Sequence, residues 1–212
     1  MKIYLASGNL HKKKEMSEIF CNHTISIPAD DGIDFDPIED GNSFMENSLI
    51  KAKALWEIVK QPVLADDSGI CVDILDGVPG IYSARYAGKD MHQGRPDGKK
   101  IPQEEQNRLL IQEVNEAINE KKGTSRTCRY VCAMTLYLGP DRFYTAQETM
   151  EGSIIEDISV SRGLGGFGYD PIVILKDTDK TIAELSAEEK NALSHRGKAG
   201  KVLNEVLEAL YN

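Results

Sequence analysis

Pro62-Val-Leu-Ala-Asp-Asp-Ser-Gly-Ile-Cys-Val72 places two adjacent carboxylates, Asp66 and Asp67, after a short apolar run. The run predicts a buried strand over 63–65. Ser68 and Gly69 predict a tight bend, and residues 70–74 a strand that resumes beyond it. A rigid strand edge can hold such charges against a metal or an activated water. Successive residues of an extended chain point to opposite sides, so one acid faces the reaction and the other secures the loop. The stretch alone equally fits an acidic turn. Three further glycine-punctuated islands tip the reading: Ala6-Ser-Gly-Asn-Leu-His-Lys12, Gly165-Gly-Phe-Gly-Tyr-Asp-Pro171 and Ser194-His-Arg-Gly-Lys198. Together they point to an enzyme acting on a phosphorylated small molecule.

Working outward, residues 2–6 predict a first strand that runs into a Ser-Gly-Asn turn. A helix follows with Met16, Ile19 and Phe20 on one face. Strand, glycine loop and helix in that order aim backbone N–H groups at phosphate. A short strand is expected near 33–35. Ser43 and Glu46 form a capping box for a helix ending near Val59. Residues 88–100 are polar and read as a loop or lid, and 103–120 as a helix with Leu109, Leu110, Val114 and Ile118 inward. Strands are expected over 130–138, 143–150, 152–158 and 171–175. Ser186 and Glu189 form a second capping box, and a last helix covers 198–210, leaving His195 and Arg196 between helices. Mixed crossover and hairpin connections give an α/β fold with a mixed sheet rather than a Rossmann fold.

The 212 residues, 41 % hydrophobic and 28 % charged, suffice for one soluble domain with its own core. No run is apolar enough for a membrane span and no leader precedes the first strand, so a cytoplasmic protein is expected. A net charge of −9 argues against nucleic acid as the main partner. It leaves room for a nucleotide carried as its magnesium complex. The four cysteines, Cys21, Cys71, Cys128 and Cys132, form no metal-binding spacing, and buried free thiols are expected.

Hydrolysis of a nucleoside triphosphate needs an in-line water, a carboxylate or metal to activate it, and cations to hold the phosphates. Asp67 fits as a magnesium ligand, with Glu39 or Glu46 as the second carboxylate. Ser7, Asn9 and Lys12 offer a hydroxyl, an amide and an ammonium around a glycine, although Asn9 equally serves as a helix cap. Either Lys51 or Lys53 reaches the phosphates. Gly165, Gly166 and Gly168 allow close backbone approach, Phe167 or Tyr169 offers an aromatic face, and Asp170 can accept from a base edge. Arg196 can grip phosphate or a carbonyl edge, and His195 can donate to a base oxygen.

Taken in order, residues 6–9 with Lys12 and the segments 43–52, 64–73, 77–88, 165–171 and 183–199 resemble the Ham1-like inosine triphosphate pyrophosphatase family over nearly the whole chain. The resemblance implies a single Ham1-like domain over 1–212. It implies a long mixed α/β sheet with flanking helices and two lobes around a central cleft, assembled as a homodimer. It implies a magnesium-dependent hydrolase that converts ITP, dITP and XTP to the monophosphate and pyrophosphate, cleansing the nucleotide pool. Asp67 then looks like the general base and a metal ligand, with Glu39 the second ligand. Ser7, Asn9, Lys12 and Lys51 would bind phosphate, and Ser68 would lie beside the substrate. Phe167 would stack on the purine, with Gly168, Tyr169 and Asp170 completing its loop. Lys190, His195 and Arg196 would read the base. The chain departs from the family pattern in a polar insertion around 89–103. The competing readings are a pyrophosphatase for another modified nucleotide such as a pyrimidine, and a nucleotide-binding protein without turnover.

Overall fold

The computed structural model describes residues 1–121, 123–163 and 165–211. Its strands are β1 (Lys2–Leu5), β2 (Thr24–Ser26), β3 (Val63–Val72), β4 (Thr127–Gly139), β5 (Arg142–Ile154) and β6 (Val173–Leu175). Its helices are α1 (Leu10–Ile19), α2 (Phe44–Val59), α3 (Gln103–Lys121), α4 (Ala187–Leu193) and α5 (His195–Tyr211). The strands form one mixed sheet in the order β2-β1-β3-β4-β5-β6. β1 runs parallel to β2 and to β3, and β5 antiparallel to β6. The expected mixed α/β sheet with flanking helices is therefore present. No described helix is long and apolar enough to cross a membrane.

The chain divides into two compact units, one of residues 1–67, 132–149 and the segment from 191 onward, the other of 68–131 and 150–190. In the first unit the period-2 alternation of extended chain sorts side chains between two helical layers. Ile3, Leu5 and Leu64 pack with Met16 and Phe20 from the α1 side and Ala199, Leu203 and Leu207 of α5. Tyr4, Ala6, Val63 and Ala65 pack with Ala52 and Leu55 of α2. The four-residue spacing of Ala199, Leu203 and Leu207 sets one α5 stripe inward, where each buried leucine stabilises by about 1.5–3 kcal/mol. In the second unit Leu110, Ile111 and Val114 of α3 close over Ile70, Val72, Tyr86 and Tyr169.

α2 begins at the expected cap, Ser43, whose Oγ accepts from Glu46 N at 3.1 Å, but the reciprocal bond of the box is displaced by one residue: Glu46 Oε2 accepts from Asn42 N at 2.6 Å. The Ser186–Glu189 box opens α4, with bonds of 3.1 and 2.8 Å. The cysteines are free, with Cys71, Cys128 and Cys132 buried and Cys21 exposed.

Several expectations need correction. Asp66-Asp67-Ser68-Gly69 is not a bend, because β3 runs unbroken from Val63 to Val72. Partners for both carboxylates make a turn unnecessary. Residues 33–35 form no strand, and the three-residue β2 went unforeseen. Residues 142–154 are one strand rather than two. α5 starts three residues early, so His195 and Arg196 occupy its first turn. The polar stretch from 88 to 102 contains no helix or strand, as expected of a loop.

Candidate active site

The alternation that sorts the core also separates the two acids. Asp66 shares the face of Leu64 and turns toward α1 and α5. Asp67 shares the face of Val63 and Ala65 and turns toward α2.

Asp66 is 2 % exposed. Its Oδ2 meets Lys12 Nζ at 3.0 Å and Arg196 Nε at 3.2 Å. Burial alone would raise its carboxyl, but Lys12, Arg196 and Lys51 outweigh that and hold it far below the usual carboxylate range. Arg196 is 3 % exposed, and its second contact is Glu15 Oε2 at 2.8 Å. Burial works against the guanidinium, yet Asp66 and Glu15 keep it charged. α5 reaches this position because residue 197 is glycine. A Cβ there would stand 2.0 Å from the Asn191 carbonyl oxygen.

Asp67 is held differently. Its Oδ2 accepts from Asn47 Nδ2 at 3.2 Å and its Oδ1 from Lys51 Nζ at 3.1 Å. Asn47 and Lys51 lie four residues apart on α2 and so share a face. The Asn47 Oδ1 accepts from Gly41 N at 2.9 Å, which fixes the amide's orientation. Lys51 also meets Glu39 Oε2 at 2.8 Å. Burial pushes the Asp67 carboxyl above its ordinary value, Lys51 pulls the other way and Glu39 adds to the rise. A half-buried carboxylate made more basic than usual is suited to accept a proton.

Asp67 and Glu39 thus hold one cation, Lys51, between two carboxylates. That oxygen-rich donor set also suits a divalent ion completed by phosphate oxygens and waters. Among the described residues no group of three or more His, Cys, Asp or Glu side chains could hold a metal. Glu46 is engaged in the α2 cap, leaving Glu39 as the acid beside Asp67.

Ser7, Asn9 and Lys12 lead into α1 beside this pair, because β1 and β3 pair through Leu5 and Leu64. Asn9 Oδ1 caps the helix, accepting from His11 N at 2.9 Å and Lys12 N at 3.3 Å, and Ser7 Oγ accepts from Asn9 N at 3.1 Å. Their side chains therefore shape the helix N-terminus, whose positive dipole end favours anions. Of the two α2 lysines, Lys51 is buried and Lys53 exposed. His195 is buried at the first position of α5. Asn47 and Glu15 went unforeseen. The four-residue spacing of Asn47 to Lys51 was the available signal for the first, and the Lys12-to-Glu15 helical turn for the second.

In the second unit the glycine loop organises itself around Asp170, also buried. The Asp170 Oδ2 accepts from Phe167 N at 2.9 Å and from Lys190 Nζ at 2.8 Å. Gly166 has φ +75°, and a Cβ on it would stand 2.2 Å from that oxygen, so glycine is required. The Lys190 ammonium lies 4.6 Å from the centroid of the Phe167 ring, which remains 38 % exposed. Tyr169 offers no free face. It is buried, and its hydroxyl donates to the Ser83 carbonyl at 2.9 Å. Ser68, next along β3 from Asp67, is half-buried.

A family model described as Ham1 family matches residues 3–206. The chain is 51 % identical over 200 residues to a dITP/XTP pyrophosphatase of Treponema denticola, covering 94 % of each chain. It is 38 % identical to a dITP/XTP pyrophosphatase of Bacillus subtilis, covering 97 % of this chain and 96 % of that one. Among solved structures it is similar to the Staphylococcus aureus Ham1 protein, with TM-score 0.78, 32 % identity, and coverage of 99 % and 100 %. A HAM1 protein from Coxiella burnetii gives TM-score 0.81, 33 % identity and 99 % coverage of each chain.

Proposed function

Because the chain belongs to the Ham1 family, we propose that it hydrolyses non-canonical purine nucleoside triphosphates, ITP, dITP and XTP, to the monophosphate and pyrophosphate. The observation that carries this reading is Asp67, a carboxylate of raised basicity braced by Asn47 and Lys51. Asp67 accepts the proton of the water that attacks the α-phosphorus, and the α–β bridging oxygen leaves with pyrophosphate. Lys51, Lys12 and the N-terminus of α1 hold the phosphates. Asp67 and Glu39 are the residues that would hold Mg2+, which neutralises phosphate charge when bound.

Phe167 stacks on the base. Lys190 donates one proton to Asp170 and keeps others for the 6-keto oxygen of hypoxanthine or xanthine. Adenine presents an amino donor there and leaves the ammonium unsatisfied, which disfavours ATP. Arg196 binds Asp66 and Glu15, so part of its role is to hold Asp66 and the first turn of α5. A cytoplasmic homodimer completes the proposal.

The test is initial rates with ITP, XTP, dITP, dUTP, GTP and ATP, with and without magnesium, resolving pyrophosphate from orthophosphate. Preference for ITP, dITP and XTP with pyrophosphate release supports it. Orthophosphate as the direct product overturns the bond assignment, and preference for dUTP overturns the base assignment.

A further inference from the structure

We propose that Asn107 of α3 is a positioning residue for the Phe167 loop and sets how firmly that ring holds a planar base. The inference rests on the stacking role assigned to Phe167 above. Asn107 is 5 % exposed, and a buried amide must find partners. Its Nδ2 donates to the Gly168 carbonyl at 3.4 Å, and its Oδ1 accepts from Gln103 Nε2 at 3.0 Å. Gln103 lies one helical turn earlier at the exposed start of α3. Gln103, Asn107, Gly166, Phe167 and Gly168 all line one cavity of about 660 Å³.

A relay of amides therefore runs from the cavity rim, through a buried side chain, to the residue that follows the stacking ring. The ring is gripped on both flanks: Asp170 takes the Phe167 N–H and Asn107 takes the Gly168 carbonyl. Gly168 itself sits at φ +67°, a region with no side chain to pack and nothing within 4 Å of a Cβ. Its carbonyl orientation consequently depends on what donates to it. The Asn107 bond is long, so its loss should shift binding by a few-fold rather than abolish it.

Asn107→Leu removes both hydrogen bonds at similar volume, and Gln103→Ala breaks the relay at an exposed position that leaves the core untouched. For Asn107→Leu, KM for ITP should rise roughly fivefold, with kcat and the inhibition constant of inorganic tripolyphosphate unchanged. Hydrogen exchange at the Phe167 amide of the free protein should quicken. Gln103→Ala should move the same readings in the same direction by about twofold, and it carries the test if Asn107→Leu does not fold. Unchanged KM and unchanged exchange overturn the proposal, as do equal losses for ITP and tripolyphosphate, which mark general damage. If the wild type turns over no inosine or xanthosine nucleotide, the stacking reading fails. The exchange measurement still decides separately whether Asn107 holds the loop.

Discussion

The acid pair on β3 and the glycine loop at 165–170 are both built on a buried carboxylate, and they use it in opposite ways. Asp66 binds side chains from α1 and from α5, the latter 130 residues away in sequence. Asp170 works locally, on a backbone N–H three residues earlier and a lysine twenty residues later. In the proposed function the first arrangement meets the triphosphate, which all substrates share, and the second fixes the ring that meets the base, where they differ. Damage to the acid pair should therefore act on every substrate, and damage to the loop on the choice among them.

The largest expected effect tests the first half of that contrast. Asp67→Asn should lower kcat for ITP, XTP and GTP alike by about 10²–10⁴-fold while the protein stays folded by circular dichroism. A loss confined to one base would break the contrast. Arg196→Ala should come next, leaving buried Asp66 and half-buried Glu15 with too little positive charge. Urea unfolding should show a stability loss of about 3–5 kcal/mol. A near-neutral result would show that the Asp66 cluster is not the anchor described.

Phe167→Ala sharpens the other half. Stacking on a base contributes about 1–3 kcal/mol, so KM for ITP should rise by roughly tenfold or more while inhibition by tripolyphosphate holds steady. Equal weakening of both ligands would remove the distinction between regions. The smallest effect concerns pH. The folded-state carboxyl of Asp67 lies above its ordinary value of 3.8, so its ionised form destabilises the fold. That penalty is absent below 3.8, grows as pH rises toward the folded value, and is complete above it. Asp67→Asn should therefore show a small rise in Tm at pH 7 that fades as pH falls toward 4. A rise that persists unchanged at low pH would contradict the assigned environment.

Local signals in the sequence proved legible. The helix caps at Ser43 and Ser186 place helix starts because the chemistry is complete within four residues. The opposite facing of Asp66 and Asp67 follows from strand geometry alone, and the ordered motifs identified the family. Tertiary decisions were hidden. Asp-Asp-Ser-Gly reads as a turn until Lys12, Arg196, Asn47 and Lys51 arrive from elsewhere to satisfy a strand. Nothing in the sequence shows that Glu15 and Asp66 each take an N–H of Arg196. Tyr169 and Phe167 are equally aromatic in sequence, and only burial tells the exposed ring from the core ring. β2 was too short to show a period.

Adjacent acids on one strand also proofread its alignment. A one-residue slip in either direction exchanges the two faces of β3. One direction sets Ala65 before Lys12 and Arg196, taking Asp66 from Lys12 and leaving Arg196 with Glu15 alone. The other gives them Asp67 and leaves Lys51 facing Ser68. Either mistake takes one carboxylate from a buried cation that holds two in the correct alignment, Arg196 or Lys51. The same two residues make the correct alignment the one in which Lys12, Arg196 and Lys51 all meet an acid of β3.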